Sequence, residues 1–359
     1  MSQKKTVIVG MSGGVDSAVA AILMKEAGHH VIGVTLVLWK DEAEEEKRWQ
    51  DRSCCKVGLA RHVAKMLDIP HFTVDAQAEF KSAVIDDFCD TYLVGQTPNP
   101  CVRCNGLVKF ERLVSFAKEH GADFIATGHY AKIIEQGSGH SLQVGYDSQK
   151  DQSYFLYRLT QEQLAATVFP LGEMNKEAVY KKAAVLGLPY EEILESQEIC
   201  FVNQKGYQEF LTENRPESVV PGNIVTQSGE VVGAHQGVGF HTVGQRRGLN
   251  IAMGERVYVT QLDVIKNEVI VGDRDALLQK DLLANRVIWG GGGVPNCPIP
   301  VEARIRYRSV PKRVMLTRAD EQSFSISFDE SERGISPGQS VVLYQGETVL
   351  GGGIITTSL

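Results

Sequence analysis

Residues 10–17, Gly-Met-Ser-Gly-Gly-Val-Asp-Ser, constrain the fold of this chain more than any other stretch. They follow the short apolar run Thr6-Val-Ile-Val9 and lead into a helical pattern from Ser17 to Ala27. A strand, a glycine turn and a helix in that order predict the first crossover of a parallel sheet with helices on both faces. The alternation continues, with strands expected over Val31–Leu38, Phe72–Val74 and Phe124–Ala126 and a helix over Leu59–Leu67 that stops at Ile69-Pro70. The glycines let the backbone turn tightly and aim N–H groups at an anion, and the helix N-terminus adds its positive dipole end. Gly10, Met11, Ser12, Gly13, Gly14, Val15, Asp16 and Ser17 therefore read as a phosphate loop. Ser12 and Ser17 supply hydroxyl donors, and Asp16 supplies a carboxylate for Mg2+. The loop is not a Walker loop, because no Gly-Lys-Ser/Thr follows, and it lacks the Gly-x-Gly-x-x-Gly of dinucleotide folds.

The chain of 359 residues exceeds one ordinary domain; about 150 residues per domain gives two or three. Near residue 208 the texture changes, and Pro221-Gly222, Ser228-Gly229, Gly233, Gly237, Gly239 and Gly244 mark a small strand-and-turn unit. Further on, Val301, Ala303, Ile305 and Tyr307 alternate with Glu302, Arg304, Arg306 and Arg308, so one strand face is expected in a core and the other basic. Strands over Ser323–Phe328 and Ser340–Tyr344, separated by Pro337-Gly338, complete the picture of a β-barrel. The expected division is 1–207, 208–276 and 277–359: an α/β phosphate-binding unit, a small mixed or β unit and the barrel.

Thirty-seven basic against 44 acidic residues, a net charge of −7, argue against a protein that coats nucleic acid non-specifically. Within 301–318, however, Arg304, Arg306, Arg308, Lys312, Arg313 and Arg318 face only Glu302, a strip compatible with a specific nucleic-acid partner. No apolar run approaches the roughly 18 residues of a membrane helix, and the N-terminal apolar stretch is too short for a signal peptide. A cytoplasmic chain with no membrane partner is expected. Seven cysteines, an odd count without a secretion signal, speak against a disulfide framework.

Thr97-Pro-Asn-Pro-Cys-Val-Arg-Cys-Asn105 is the second informative segment. Pro98 and Pro100 hold the approach extended, and Leu107, Phe110, Leu113, Val114 and Ala117 then recur at helical spacing. Cys101 and Cys104 thus sit near a helix start on the same side, where the helix end, Arg103 and Lys109 favour thiolate. A structural zinc would want a second Cys-x-x-Cys, which the chain lacks. Cys54, Cys55, Cys89 and Cys297 read as packing cysteines. Cys200, between Ile199 and Phe201, reads alone as a core position.

Ser12-Gly-Gly-Val-Asp-Ser17 resembles the loop of pyrophosphate-loop ATPases, which split ATP between its α and β phosphates and adenylylate an oxygen. Further segments narrow the resemblance: the Thr-Pro-Asn-Pro-x-x-x-Cys-Asn run, Ala126-Thr-Gly-His-Tyr130, Lys150-Asp-Gln-Ser-Tyr-Phe155, Ile199-Cys-Phe201, His241-Thr-Val-Gly-Gln-Arg-Arg-Gly-Leu249 and Gly351-Gly-Gly-Ile-Ile355. In this order, along nearly the whole chain, they resemble the tRNA-specific 2-thiouridylases. The resemblance implies ATP-dependent replacement of the wobble uridine O2 by sulfur, on a pyrophosphate-loop domain followed by a small central domain and a β-barrel. It implies that Gly10–Ser17 bind ATP, with Leu36 and Gly128 lining the adenosine pocket. Cys104 falls on the nucleophile and Cys200 on the persulfide carrier. His129, Lys150, Asp151, Gln152, Arg306, Tyr307 and Gln339 fall on tRNA-contacting positions, and Asn99, Pro100 and Cys101 on the segment that meets the flipped base. The implied partners are the tRNA anticodon loop and, as sulfur donor, a sulfur-relay protein or cysteine desulfurase.

Two departures stand out. Many members carry Asp where this chain has Cys101, so Cys101, Cys104 and Cys200 offer three thiolates for a [4Fe–4S] cluster whose fourth iron would carry hydrosulfide. The persulfide relay and the cluster both stand open from the residues alone. The stretch after Cys54-Cys55 is also shorter than usual for the family. Two other readings compete: another adenylylating ligase or amidotransferase of the superfamily, and a non-catalytic RNA-binding iron–sulfur module.

Overall fold

The computed structural model describes residues 4–39, 56–137, 139–185, 187, 199–202 and 206–356. The acidic stretch at 41–51 and the pair Cys54-Cys55 lie outside them. In the first part, β1 (Thr6–Gly10), α1 (Val15–Glu26), β2 (His30–Val37), α2 (Val57–Met66), β3 (His71–Asp75) and β4 (Phe124–Ala126) follow the expected alternation. A hairpin of β5 (Ala131–Gln136) and β6 (Gly139–Val144) comes next, then β7 (Thr167–Val168). The sheet order is β3-β2-β1-β4-β7, with every pairing parallel.

The pleat of β1 sorts its side chains between two cores. Val7 and Val9 pack with α1, α2 and the helix Lys176–Val185, while Ile8 packs with Phe80, Val84, Phe110 and Leu113 on the other face. With layers on both sides, α1 is buried almost all round at Val15, Ala18 to Ile22 and Met24, which explains its weak amphipathic pattern.

The central part is a mixed four-stranded sheet of β8 (Gly222–Thr226), β9 (Val231–His235), β10 (Tyr258–Asp263) and β11 (Glu268–Gly272), ordered β10-β11-β8-β9. It is tied to the first part where the Tyr207 hydroxyl donates to the Phe240 carbonyl at 2.7 Å and the Tyr207 ring stacks on Tyr92 at 4.8 Å.

The last part is a closed barrel of β12 (Leu278–Trp289), β13 (Ile299–Arg304), β14 (Lys312–Ala319), β15 (Ser323–Arg333), β16 (Ser340–Gln345) and β17 (Thr348–Ile355). The antiparallel order β12-β15-β14-β13-β16-β17 returns to β12, so no edge of the barrel stays open there. Val301, Ala303 and Ile305 do face its core. The strand stops at Arg304, however, and residues 305–309 turn, with the Ser309 N–H donating to the Arg306 carbonyl at 3.1 Å. Among the described residues no helix is long and apolar enough to cross a membrane.

The barrel is fastened to the first part by contacts that local pattern does not reveal. The β5–β6 hairpin joins the barrel sheet, pairing Gln143 with Thr348. Arg304, expected on a basic outer face, instead pairs with Asp151 at 2.9 Å; the two side chains are 14% and 1% exposed. The Asp151 carboxylate also accepts from the Gly145 and Ser153 N–H groups and the Ser153 hydroxyl. The guanidinium of Arg304 lies 5.3 Å above the Tyr344 ring.

Removing one partner of such a buried pair leaves the other charge uncompensated. Arg304→Met is expected to cost about 3 kcal/mol in urea unfolding followed by Trp289 fluorescence, and Asp151→Asn added to it is expected to restore part of the loss. A cost under about 1 kcal/mol would mean the pair behaves as an exposed one.

Candidate active site

In the first sheet the strand order reverses at β1: the chain leaves β1 toward β2 on one side, while β4 lies on the other. The loops leaving two such strands diverge and open a crevice at their C-terminal ends. A cavity of about 1270 Å³ occupies that place. Its lining combines the phosphate loop, the end of β2, Pro98–Cys101 with Cys104 and Asn105, the loops 127–130 and 148–152, Ile199–Phe201, and the barrel residues Arg304, Tyr307–Pro311 and Gln339.

Every residue from Gly10 to Ser17 except Gly13 lines this cavity. Gly13 is the residue that turns the chain: its φ is +80°, and a Cβ there would stand 2.5 Å from the Lys56 carbonyl oxygen. The loop is braced internally. The Ser17 hydroxyl donates to the Gly14 carbonyl at 2.9 Å and accepts from the Ser12 N–H at 3.2 Å. The Met11 N–H donates to the Val34 carbonyl at 2.8 Å. Gly128 closes the far wall, where a Cβ would come 2.6 Å from the Asp16 carbonyl carbon, so only glycine permits β4's loop to lie against the first turn of α1. Leu36 and Gly128, far apart in sequence, face the same cavity.

Asp16 is partly exposed but paired. Its carboxylate receives the Lys176 ammonium at 2.7 and 2.9 Å and the Tyr130 hydroxyl at 2.7 Å. An oxygen ligand beside a phosphate loop suits a hard cation, so Asp16 fits Mg2+ once its present partners yield.

Asn99 caps the helical segment Pro100–Cys104, its side-chain oxygen accepting from the Val102 N–H at 3.4 Å with Pro100 at the first position. Asn105–Lys109 follows with π-type hydrogen bonds before the helix Phe110–Glu119 resumes. Such widened turns concentrate at functional sites. Cys104 is buried with Val102 and Val108 against the core, whereas Cys101 is exposed at the rim. Arg103, expected to favour thiolate, turns away: its Nε meets Asp87 at 3.0 Å and donates to the Ala83 carbonyl at 2.8 Å.

Cys200 sits in a turn closed by the Val202 N–H and the Ile199 carbonyl at 3.1 Å. The anchor of that turn is Phe201, buried edge-on against Phe80 and Phe88 at 5.6 and 5.2 Å. Cys101, Cys104 and Cys200 thus share one cavity. Among the described residues no group of three His, Cys, Asp or Glu side chains is placed to hold a metal ion. Cys89 is buried in the core, where burial pushes its thiol up to about 11, as befits a packing cysteine.

His129 lies between the rings of Phe110 and Phe169, at 5.6 and 6.0 Å, with its Nδ1 2.7 Å from the Thr127 hydroxyl. Burial, reinforced by the Lys109 ammonium, pushes it down to about 3, so the ring is neutral near pH 7.

The other positions expected at tRNA divide. Lys150, Gln152, Tyr307, Gln339, Asn99 and Pro100 line the cavity. Gln152 is fixed by accepting the Tyr130 N–H at 3.0 Å, Gln339 by donating to the Pro98 carbonyl at 3.1 Å, and Tyr307 by a 4.3 Å ring contact with Phe155. Asp151 touches the cavity wall, but its carboxylate is withdrawn into the pairing with Arg304. Arg306 is exposed but outside the cavity lining, and its guanidinium donates to the Arg333 and Gly334 carbonyls at 2.6 and 2.9 Å. Lys176 was missed by sequence reasoning. Its one local signal is a lysine at the start of a helix, directly after the capping residue Asn175.

Three families match in succession. The tRNA methyl transferase HUP domain matches residues 5–204, the tRNA methyl transferase PRC-barrel domain residues 208–273, and the aminomethyltransferase beta-barrel domain residues 279–355. A protein of Geotalea uraniireducens named tRNA-specific 2-thiouridylase MnmA is 46% identical over 361 residues, covering 99% of this chain and 96% of its own. Proteins of the same name from Heliobacterium modesticaldum and Clostridium perfringens are 44% and 42% identical, each over 99% of this chain and over 94% and 99% of their own.

Desolvated histidines make stability depend on pH. His241, buried beside His235, is pushed down to about 4, as His129 is to about 3. In the unfolded chain both take up a proton near the ordinary 6.5, so the unfolded state binds more protons below that pH. Their contribution is therefore complete above about pH 6.5 and is lost as pH falls toward 4 and then 3. Melting temperature is expected to decline from pH 7.5 to pH 5, and His129→Gln is expected to flatten the decline. A melting temperature that stays level over this range would contradict the assignment.

Proposed function

Because the chain belongs to the tRNA-specific 2-thiouridylases, we propose that it uses ATP to convert the C2 oxygen of the wobble uridine of tRNA into sulfur, with Cys104 and Cys200 as the reacting thiols. One observation carries the residue assignment: the phosphate loop, Cys104 and Cys200 face a single cavity whose lining also includes Tyr307 and Gln339 of the barrel. The proposed units divide the work accordingly, with 1–207 holding ATP and the cysteines, 208–276 bracing them, and 277–359 receiving RNA.

Oxygen at C2 of uridine is a poor leaving group. The phosphate loop holds the triphosphate so that O2 attacks the α-phosphorus and pyrophosphate departs. Mg2+, when bound at Asp16, neutralises charge on the phosphates. Leu36 and Gly128 border the adenosine. The outer sulfur of a Cys200 persulfide then attacks C2 and AMP leaves. The Cys104 thiolate attacks the Cys200 sulfur, releasing 2-thiouridine and leaving a Cys104–Cys200 disulfide. The electrons balance, since the transferred sulfur gains the two that the thiols lose. A dithiol reductant restores the pair, and a sulfur-relay protein or cysteine desulfurase reloads Cys200, which suits the reducing cytoplasm.

A base must leave its stack to reach such a cavity, and an anticodon loop allows this at less cost than a duplex. Asn99, Pro100 and Cys101 border the flipped base, and Lys150, Gln152, His129, Tyr307 and Gln339 surround the loop. A neutral His129 would donate or accept one hydrogen bond rather than pair with phosphate. Asp151 serves by holding the segment that carries Lys150 and Gln152, and Arg306 meets RNA outside the cavity.

The test is anaerobic single-turnover thiolation of unmodified tRNA by metal-free protein, supplied with ATP, Mg2+ and a persulfide donor, with nucleosides read by mass spectrometry. Product is expected from the wild type. Cys200→Ser should lower it by at least about 100-fold while pyrophosphate release continues, and Asp16→Ala should abolish thiolation while tRNA binding survives. Undiminished product from Cys200→Ser would remove that residue from the mechanism. Product only after iron–sulfur reconstitution would replace the relay with a cluster.

A further inference from the structure

We propose that Lys176 is a second cation of the nucleotide site: its ammonium passes from Asp16 to the polyphosphate of ATP and so leaves Asp16 to the accompanying Mg2+. The inference rests on the ATP-binding reading above and extends it to a residue outside the phosphate loop.

Lys176 is placed against its local preferences. It opens the helix Lys176–Val185 behind Asn175, whose side-chain oxygen accepts from the Ala178 N–H at 2.8 Å. A positive charge there sits at the positive end of the helix dipole, where acidic residues are favoured. It is also only 9% exposed, a rare state for lysine unless it is paired. The compensation is Asp16, bridged through both oxygens, together with the Tyr180 ring 4.8 Å below the ammonium. Local rules broken together at one residue mark a functional site more often than an accident of packing.

Asp16 has the converse placement. It is the second residue of α1, inside a loop whose N–H groups and dipole attract anions. The same dipole favours a carboxylate there, and Lys176 pairs with it. An incoming triphosphate adds several negative charges beside it, in the cavity that both residues line. Two rearrangements resolve the repulsion at once. The Asp16 carboxylate, which suits a hard cation, would then be free to hold Mg2+. The ammonium, a compact charge on a flexible stem with three donors, swings to phosphate oxygen. The backbone need not follow, because the Lys176 N–H is held by the Asp147 carboxylate at 3.0 Å.

Calorimetric titration tests this with two probes. With a non-hydrolysable ATP analogue and Mg2+, Lys176→Gln should bind about tenfold more weakly or worse, while Lys176→Arg recovers most of the affinity and tRNA affinity stays at the wild-type level. With Mg2+-free pyrophosphate, Asp16→Asn should bind more tightly than wild type, because Lys176 no longer has a competing carboxylate. Adding Lys176→Gln should abolish that gain, and this double variant leaves no unpaired charge if the single one folds poorly. Equal analogue affinity of wild type and Lys176→Gln, or a pyrophosphate gain that survives in the double variant, assigns Lys176 to bracing the loop alone and overturns the inference. A wild-type chain that binds no analogue removes the ATP reading and this inference with it, whereas wild-type binding with an unchanged variant removes only the inference.

Discussion

The site depends on one close approach: the backbone of Gly128 against the first turn of α1 at Asp16 and Ser17. Parallel pairing of β1 with β4 brings the two strand ends together, and the reversal of strand order makes their loops diverge. Gly128 allows the second loop to lie close enough to form a wall rather than a gap. From that contact follow the position of His129 and Tyr130 beside the phosphate loop and the bond from the Tyr130 hydroxyl to Asp16. A side chain at 128 would have to displace backbone, which has no alternative rotamer to adopt.

The second requirement is that the barrel reach the cavity. Its approach is set by a buried seam in which polar bonds run beside the packing of Val342, Tyr344 and Val349 against the core of the first part. Asp151 joins Arg304, the Tyr154 hydroxyl donates to the Ser340 carbonyl at 2.9 Å, and the Thr97 N–H donates to the Pro337 carbonyl at 2.8 Å. Directional bonds of this kind specify one arrangement where apolar contact would accept several. They also bind the cysteine-bearing segment to the barrel. Pro98 is held by Gln339, and Gly338, with φ at +90°, lies so close to Thr97 that a Cβ would stand 2.8 Å from its backbone. The same contacts that dock the barrel therefore orient the helix start that carries Cys101 and Cys104.

The sheet strands, the phosphate loop and the helix after Cys104 were legible because each is written in local periodicity and turn residues. Glycine and proline announced Gly13 and Pro100 for steric reasons that hold in any fold. Other features were not legible. The β5–β6 hairpin joins a sheet through β17, about two hundred residues later, and nothing in its own pattern announces that. Arg304 belongs to an alternating strand that reads as basic outside, yet it turns to Asp151 because that carboxylate arrives from another part of the chain. The differing exposure of Cys101 and Cys104 was not legible either: one helical turn buries Cys104 in the core and leaves Cys101 at the rim.

By itself, then, the sequence determined the elements, the phosphate-binding turn and, through its ordered motifs, the family. These depend on interactions among residues a few positions apart, whose geometry is the same wherever the segment lies. Only the tertiary structure decided which charges meet: Lys176 with Asp16, Arg304 with Asp151, Arg103 with Asp87. A long charged side chain can reach in many directions from its backbone, and its partner is settled by which elements the packed cores bring within a few ångströms.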